Sequence, residues 1–273
     1  MLYFYSIIFG AIQGLTEFLP VSSSGHLVVL HDILKFQIID SVAFDVSLHL
    51  GTLTALIFYF RVEILRYLAA IIETFIPKRE VNQADRRDVL LLIYASIPAG
   101  IAGFIFDKFI STNARRVSVV IISLLVVAAL FFVVEKFTKH ARDFTGMNLG
   151  KALFIGFSQM LALIPGVSRS GITIIAGMSL KLKRAEAARF SFLLSMPIIF
   201  GAGIFKFLDI NWQALAFPEL SLFVIGFFFS GIVGYLAVKY CLKFFERHTL
   251  IPFAYYRIGL AAVLIIWLIS GKL

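Results

Sequence analysis

Residues 10–25 have the sequence GAIQGLTEFLPVSSSG, and residues 156–171 have the sequence GFSQMLALIPGVSRSG. The two stretches align without gaps at an offset of 146 and agree at seven of sixteen positions, where chance gives about one. The identical pairs are Gly10/Gly156, Gln13/Gln159, Leu15/Leu161, Val21/Val167, Ser22/Ser168, Ser24/Ser170 and Gly25/Gly171. This agreement predicts an internal repeat, with halves of about 1–140 and 147–273.

Each copy of the repeat lies in an apolar stretch that a polar run interrupts. Residues 2–34 are broken by PVSSSGH at 20–26, and residues 149–180 are broken by PGVSRSG at 165–171. The backbone polar groups of such a break would be unpaired if they faced lipid. We therefore predict that each stretch forms two half-helices that meet at a buried tip, as a re-entrant hairpin.

The composition is typical of a membrane protein. Hydrophobic residues make up 60% of the chain and charged residues 15%, against about 45–50% and about 25% in soluble domains. Residues 61–86 mix charged and apolar residues, which predicts a surface helix followed by a polar loop. Six other blocks approach the roughly 20 residues that a membrane-spanning helix needs: 42–60, 87–106, 117–134, 186–207, 220–240 and 251–270. We predict an all-α polytopic membrane protein, with residues 1–273 as one integral membrane domain of six transmembrane helices and two re-entrant hairpins.

The order of these segments predicts an inverted-topology repeat. Three spanning helices follow each hairpin, so the second hairpin enters from the opposite face. Lys and Arg are more than twice as numerous in one set of loops (61–86, 135–151, 181–189 and 239–247) as in the other (35–41, 107–116, 206–219 and the tail). The positive-inside rule makes the first set cytoplasmic and both termini extracytoplasmic. The net charge of +9 therefore reflects topology, and we expect membrane lipid as the partner and no nucleic acid.

The first hairpin tip combines acid, hydroxyl and imidazole groups. Glu17 lies in an apolar block, where an ionised group is costly unless it is paired or bound to a metal. The serines lie where the next half-helix begins, so their hydroxyls can cap it and its free N–H groups can bind an anion. Polar residues that merely satisfy a broken helix are the alternative. The candidate residues are Gln13, Glu17, Ser22, Ser23, Ser24, Gly25 and His26.

The second tip supplies a cation. Its candidate residues are Ser168, Arg169, Ser170, Gly171 and Thr173. The forked donors of Arg169 suit phosphate oxygens, although this arginine could instead be a structural partner for Glu17. Two helix N-termini and Arg169, facing Glu17, predict an oxyanion site at membrane depth. Type-2 phosphatidate phosphatases do not fit, because Ile175 stands where their second histidine is required.

With these residues the chain resembles the undecaprenyl-diphosphate phosphatases of the bacitracin-resistance family. Gln13-x-x-x-Glu17 matches the family's Glu/Gln-x-x-x-Glu motif, and residues 165–173, PGVSRSGIT, match its Pro-Gly-x-Ser-Arg-Ser-x-x-Thr motif. Ser23 and His26 fall at the family's serine and histidine positions. The resemblance implies release of phosphate from undecaprenyl diphosphate in the bacterial inner membrane, which regenerates the carrier lipid for peptidoglycan synthesis and confers bacitracin resistance. It also implies a divalent cation, Mg or Ca, and an active site that faces the extracytoplasmic side.

The predicted mechanism divides these residues by role. Ser23 attacks phosphorus or positions the attacking water, His26 acts as base, Glu17 anchors the cation and Arg169 binds the terminal phosphate. Substrate binding is assigned to Gln13, Ser22, Ser24, Gly25, Ser168, Ser170, Gly171 and Thr173. Many family members have Glu where this chain has Gln13, so Glu17 is left as the acidic metal ligand.

Two other function classes share the predicted architecture. A transporter that flips a lipid phosphate is also built from inverted repeats with broken helices. A pure carrier needs an anion-binding arginine but no nucleophile, so Ser23 and His26 beside Glu17 favour the enzyme. An ion channel is a weaker alternative, because no ring of repeated acids is present. The assembly remains open, and a homodimer is among the states allowed.

Overall fold

The structure is a computed structural model that describes residues 1–34, 41–76, 82–109, 116–137, 146–208 and 217–270. The described residues form eleven α-helices and one 3₁₀ turn, Leu161–Leu163. The helices are α1 Leu2–Phe18, α2 Ser23–Leu34, α3 Ser41–Tyr59, α4 Arg61–Thr74, α5 Gln83–Phe109, α6 Val117–Phe137, α7 Leu149–Met160, α8 Arg169–Ser179, α9 Arg184–Leu208, α10 Phe217–Phe245 and α11 Ile251–Ile269. The predicted all-α class is confirmed. Parts of the predicted loops 35–41, 61–86, 107–116, 135–151 and 206–219 and of the tail lie outside the described residues.

Five helices of the described part of the chain are long and apolar enough to cross a membrane: α5, α6, α9, α10 and α11. The sixth predicted span, 42–60, coincides with α3. Its described apolar part, Ala43–Tyr59, is shorter than the other five. By length and composition, five of the described helices fit a membrane protein, and a sixth span stays a prediction.

The segment between α3 and α5 differs in part from the prediction. The surface helix predicted from residue 61 is present as α4. The polar loop predicted to reach residue 86 is too long, because α5 already begins at Gln83. The Asn82 side chain accepts hydrogen bonds from the backbone N–H groups of Ala84 and Asp85, at 3.1 and 3.3 Å. This cap satisfies donors at the start of α5 and allows its charged first turn to be helical.

Both predicted helix breaks are present. Between α1 and α2, Leu19 is extended and Ser22 has a positive φ of 77°. Between the 3₁₀ turn and α8, Ile164 is extended and Ser168 has a φ of 75°. Each break is followed by a new helix, α2 or α8, and the arrangement of each pair as a re-entrant hairpin stays a prediction.

The first helix of each hairpin packs closely on a long helix of the other half. Gly10 on α1 lies against α10, where an added Cβ would come 2.6 Å from the carbonyl oxygen of Gly226. Its repeat counterpart, Gly156 on α7, lies against the carbonyl of Ala95 on α5. A side chain at either position would force the helices apart. The shared glycine therefore marks a close approach to the backbone of another helix in both halves.

Candidate active site

Glu17 connects the two helix breaks through its hydrogen bonds to Ser23 and Arg169. It lies in the last turn of α1, and its side chain is 6% exposed. Its Oε1 accepts a hydrogen bond of 2.6 Å from a terminal guanidinium nitrogen of Arg169, at the start of α8. Its Oε2 accepts hydrogen bonds from Ser23 Oγ at 2.8 Å and from Gln13 Nε2 at 2.9 Å. The buried carboxylate is thus paired with a cation and bonded to a hydroxyl, as a buried charge requires.

Arg169 is held from two sides. Besides the bond to Glu17, its other terminal nitrogen donates to the backbone carbonyl of Ser191 on α9 at 3.4 Å. The side chain is 13% exposed, so the guanidinium is not sealed in the core. The structural pairing with Glu17 considered above is present. Because Ser23 donates to the other oxygen of Glu17, the guanidinium of Arg169 and the Ser23 hydroxyl bind the same carboxylate.

The two tips have the same backbone geometry. Ser22 and Ser168 both have positive φ, and each side chain caps the following helix. The Ser22 hydroxyl accepts from the N–H of Gly25 at 3.3 Å, and the Ser168 hydroxyl accepts from the N–H of Gly171 at 3.1 Å. A side-chain oxygen bonded to a first-turn N–H is the usual N-cap. The sequence repeat is therefore also a repeat of structure.

The remaining serines and the threonine of the tips are engaged within the protein. The hydroxyls of Ser22 and Ser24 lie 3.3 Å apart, and those of Ser168 and Ser170 lie 3.2 Å apart. Thr173 is buried and donates to the Arg169 carbonyl at 2.7 Å, and its hydroxyl lies 2.6 Å from that of Ser191. Thr173 thus fixes the first turn of α8 behind Arg169.

His26 points away from Ser23. Its Nδ1 lies 2.7 Å from the backbone carbonyl of Ser22, and its Nε2 lies 2.7 Å from the hydroxyl of Tyr256 on α11. The rings of His26 and Tyr256 are stacked with centroids 5.7 Å apart. Both ring nitrogens are therefore engaged. The group hydrogen-bonded to the Ser23 hydroxyl is Glu17, and the role of base assigned to His26 remains a prediction.

A second histidine, which the sequence analysis did not select, belongs to the site. His49 on α3 has its Nδ1 2.9 Å from Gln13 Nε2 and 3.5 Å from Glu17 Oε2. The sequence feature that could have identified His49 is a single histidine within the apolar sequence of α3. Because His49 is far from both motifs in the chain, its proximity to Glu17 depends on how α3 packs beside α1.

The comparison with known proteins agrees with this geometry. The family model for the bacitracin resistance protein BacA matches residues 6–263. The chain belongs to this family. An undecaprenyl-diphosphatase of Rubrobacter xylanophilus is 42% identical over 259 residues, which cover 94% of this chain and 95% of that protein. Undecaprenyl-diphosphatases of Alcanivorax borkumensis and Gemmatimonas aurantiaca are 39% and 41% identical, over 97% of this chain and 99% and 97% of their own lengths.

The site of this BacA family member has one free oxygen suited to a cation. Among the described residues, no group of three or more His, Cys, Asp or Glu side chains could hold a metal. Gln13 Oε1, however, is buried without a hydrogen-bond partner in the described part of the protein. Mg²⁺ accepts one or two protein oxygens when phosphate oxygens complete its shell. Glu17 and Gln13 Oε1 fit such a cation only if the lipid diphosphate supplies further ligands.

Arg257 is a further residue that sequence reasoning missed. It lies in α11, is fully buried, and pairs with no carboxylate among the residues the structure describes. Its guanidinium donates to five backbone carbonyls at 2.7–3.2 Å, namely those of Pro20, Ser123, Leu124, Gly166 and Val167. Three of these belong to the two hairpin tips. The sequence feature that could have identified Arg257 is a charged residue in the middle of an apolar span, since such residues usually belong to functional sites.

We expect Arg257→Gln to weaken both folding and catalysis. The shorter neutral side chain would leave several buried carbonyls unpaired, each costing about 1–3 kcal/mol. Phosphate release should fall at least about tenfold, because displaced tips that lose about 1.4 kcal/mol of transition-state stabilisation slow the reaction by that factor. Thermal stability should fall as well. Arg257→Lys should restore part of both. The control is Arg247→Gln at an exposed position, and equal behaviour of the two glutamine variants would contradict the role of Arg257.

Proposed function

We propose that this chain hydrolyses undecaprenyl diphosphate to undecaprenyl phosphate and phosphate. This reaction recycles the carrier lipid for peptidoglycan synthesis and confers bacitracin resistance. The observation that carries the proposal is the hydrogen-bonded group of Ser23, Glu17 and Arg169 where two helix N-termini meet. The names of the relatives describe the same reaction.

Phosphoryl transfer needs positioning and charge stabilisation more than covalent chemistry, and the tips supply both. The N-termini of α2 and α8 and the guanidinium of Arg169 bind the terminal phosphate. The Ser23 oxygen forms a bond to phosphorus as the bridging P–O bond breaks, and undecaprenyl phosphate leaves. The Ser23 proton passes to Glu17 Oε2, its hydrogen-bond acceptor at 2.8 Å, so in this proposal Glu17 takes the role of base that the sequence analysis assigned to His26. Water then hydrolyses the phosphoserine; direct attack by water on the substrate is the alternative that the same groups allow.

A divalent cation, Mg or Ca, completes the proposed site. Glu17 and the amide oxygen of Gln13 would hold it, and it would neutralise charge on the diphosphate. Phosphate release by the purified protein should therefore stop with a chelator and return with excess Mg²⁺. Unchanged phosphate release in the presence of the chelator would show that the reaction needs no divalent cation.

We propose the bacterial inner membrane as the location, with six spans, inverted halves, both termini extracytoplasmic and the site open to that side. The shared φ and capping bond of Ser22 and Ser168 support a repeat of the two tips, and the three spans proposed after each tip invert one half relative to the other. The distribution of Lys and Arg supports the orientation.

Reporter fusions test this topology. A reporter fused after Leu273 should be active only outside the cytoplasm, because the tail belongs to the loop set poor in Lys and Arg. A reporter inserted near Gln83 should be active only inside. The reverse pattern would contradict the orientation, and two reporters on one face would contradict the inverted repeat.

A groove between α5 and α9 suits the isoprenoid tail. It is a cavity of about 410 Å³ with mostly apolar walls that include Leu163, near the second tip, and Pro197, and Lys206 also lines it. Gly201 lines it, and a Cβ added there would meet nothing within 4 Å. The tail can therefore lie against the protein while the diphosphate reaches Arg169.

Filling this groove should raise KM for the long substrate. Gly201→Leu should weaken binding of undecaprenyl diphosphate about tenfold, since apolar pocket contacts are worth about 1–3 kcal/mol. Hydrolysis of a short isoprenyl diphosphate should hardly change, because its tail ends before Gly201. Gly259→Leu on α11, also in open space, is the control. An equal effect on both substrates would place the tail elsewhere.

A further inference from the structure

A second apolar groove lies between α3 and α10, apart from the proposed active site. It is a cavity of about 490 Å³ that none of the candidate site residues lines. Its walls are the side chains of Thr54, Ala55, Phe58, Phe227, Phe228, Ile232, Tyr235 and Leu236, with Gly231. The rings of Phe58 and Phe228 are 61% and 59% exposed. The groove is therefore open to the surrounding lipid.

One charged side chain, Arg61, also lines the groove. It begins α4, separated by one residue from the end of α3, on the face whose loops are rich in Lys and Arg. Its guanidinium donates to the Phe58 carbonyl at 3.0 Å, which holds it over the groove. Within the described residues no carboxylate lies at ion-pairing distance from it. An exposed, oriented guanidinium without an acidic partner is suited to bind a phosphate.

The length of the groove matches one leaflet of a bilayer. The residues of α10 that line it run from Phe227 to Leu236, which is about 14 Å at the 1.5 Å rise of a helix. One leaflet contributes half of a hydrocarbon core that is about 30 Å thick. An acyl chain that starts from a phosphate at Arg61 would thus lie in the groove along its whole length.

We propose that this groove binds an anionic phospholipid, with its phosphate on Arg61 and one acyl chain between α3 and α10. The positive charge and the position of Arg61 indicate an anionic headgroup. The length of the groove indicates an acyl chain that spans one leaflet of the bilayer. An undecaprenyl chain is much longer than this groove. The site is independent of the proposed hydrolysis, because it shares no residue with the tips or with the groove between α5 and α9.

The test is photocrosslinking in phosphatidylcholine nanodiscs that contain a trace of phosphatidylglycerol with a photoreactive acyl chain. In the unmodified protein, we expect the label on residues 227–236. Arg61→Gln should reduce it about fivefold, since a basic residue at an anionic surface is worth about 1 kcal/mol. Thr54→Phe should reduce it by filling the groove. The control Lys239→Gln removes a charge from α10 outside the groove and should leave the label unchanged.

Each alternative occupant predicts a different result. Equal labelling of the unmodified protein and Arg61→Gln, or equal labelling by a phosphatidylcholine probe, would overturn the headgroup contact. Displacement by undecaprenyl phosphate at lower concentration than by phosphatidylglycerol would make the groove a product site. Crosslinks between two protein molecules at Phe228 would show that the groove is a subunit interface. Phosphate release by Arg61→Gln should stay normal, so failure of this proposal and failure of the proposed hydrolysis are separable.

Discussion

Phosphate release should fall to background in Ser23→Ala, while the protein still binds the lipid diphosphate. The substitution removes the only tip hydroxyl, among the described residues, that is bonded to Glu17. It leaves Arg169 and both helix N-termini in place. Loss of an obligatory nucleophile lowers turnover on the order of 10⁴-fold or more. The measurement is phosphate release and lipid binding for the purified variant over a range of Mg²⁺ concentrations.

Ser24→Ala is the matched control for Ser23→Ala. It removes a hydroxyl from the same tip, but that hydroxyl bonds to Ser22 and not to Glu17. Its effect should be no more than about tenfold, the value of one neutral hydrogen bond. If Ser23→Ala kept activity well above background, an obligatory phosphoserine would be excluded and direct attack by water would be favoured.

Arg169→Lys should lower hydrolysis by about 100-fold or more, although the positive charge is retained. The guanidinium bonds to Glu17 with one nitrogen and to the Ser191 carbonyl with another. A lysine ammonium is a single point of charge and cannot hold both partners while it also binds phosphate in a forked geometry. The measurement is kcat and KM for the lipid diphosphate, together with thermal stability.

Arg184→Lys is the matched control for Arg169→Lys. Arg184 makes a comparable hydrogen-bonded pair with Glu135, and neither residue belongs to the hairpin tips. This variant should hydrolyse the lipid at the normal rate. Near-normal turnover of Arg169→Lys would mean that Arg169 serves only as a structural partner of Glu17.

Much of the architecture could be predicted from the sequence because it depends on local pattern. The repeat at an offset of 146 predicted two like tips, and the structure gives Ser22 and Ser168 the same backbone conformation and the same capping bond. The pairing of Glu17 with Arg169 was one of two alternatives for this arginine, and the structure shows the pair. The approximate lengths of the apolar helices could likewise be predicted from the extent of the apolar blocks.

The positions of the other site residues relative to the tips could not be predicted, because these positions depend on packing between distant helices. Arg257 reaches the tips only because α11 lies beside both of them, and its five acceptors are backbone carbonyls that carry no sequence signal. His49 enters the site through the approach of α3 to α1. The direction of the His26 ring depends on Tyr256, which is 230 residues away in the chain.

The most direct test of the enzyme against a lipid carrier uses the purified protein in liposomes with undecaprenyl diphosphate and Mg²⁺. Phosphate release and movement of the lipid between leaflets are measured in parallel. We expect phosphate release from the unmodified protein and none from Ser23→Ala, because the Ser23 hydroxyl bonded to Glu17 is the reacting group. No phosphate release at any cation concentration, together with movement of the lipid between leaflets, would contradict the hydrolase and favour the carrier.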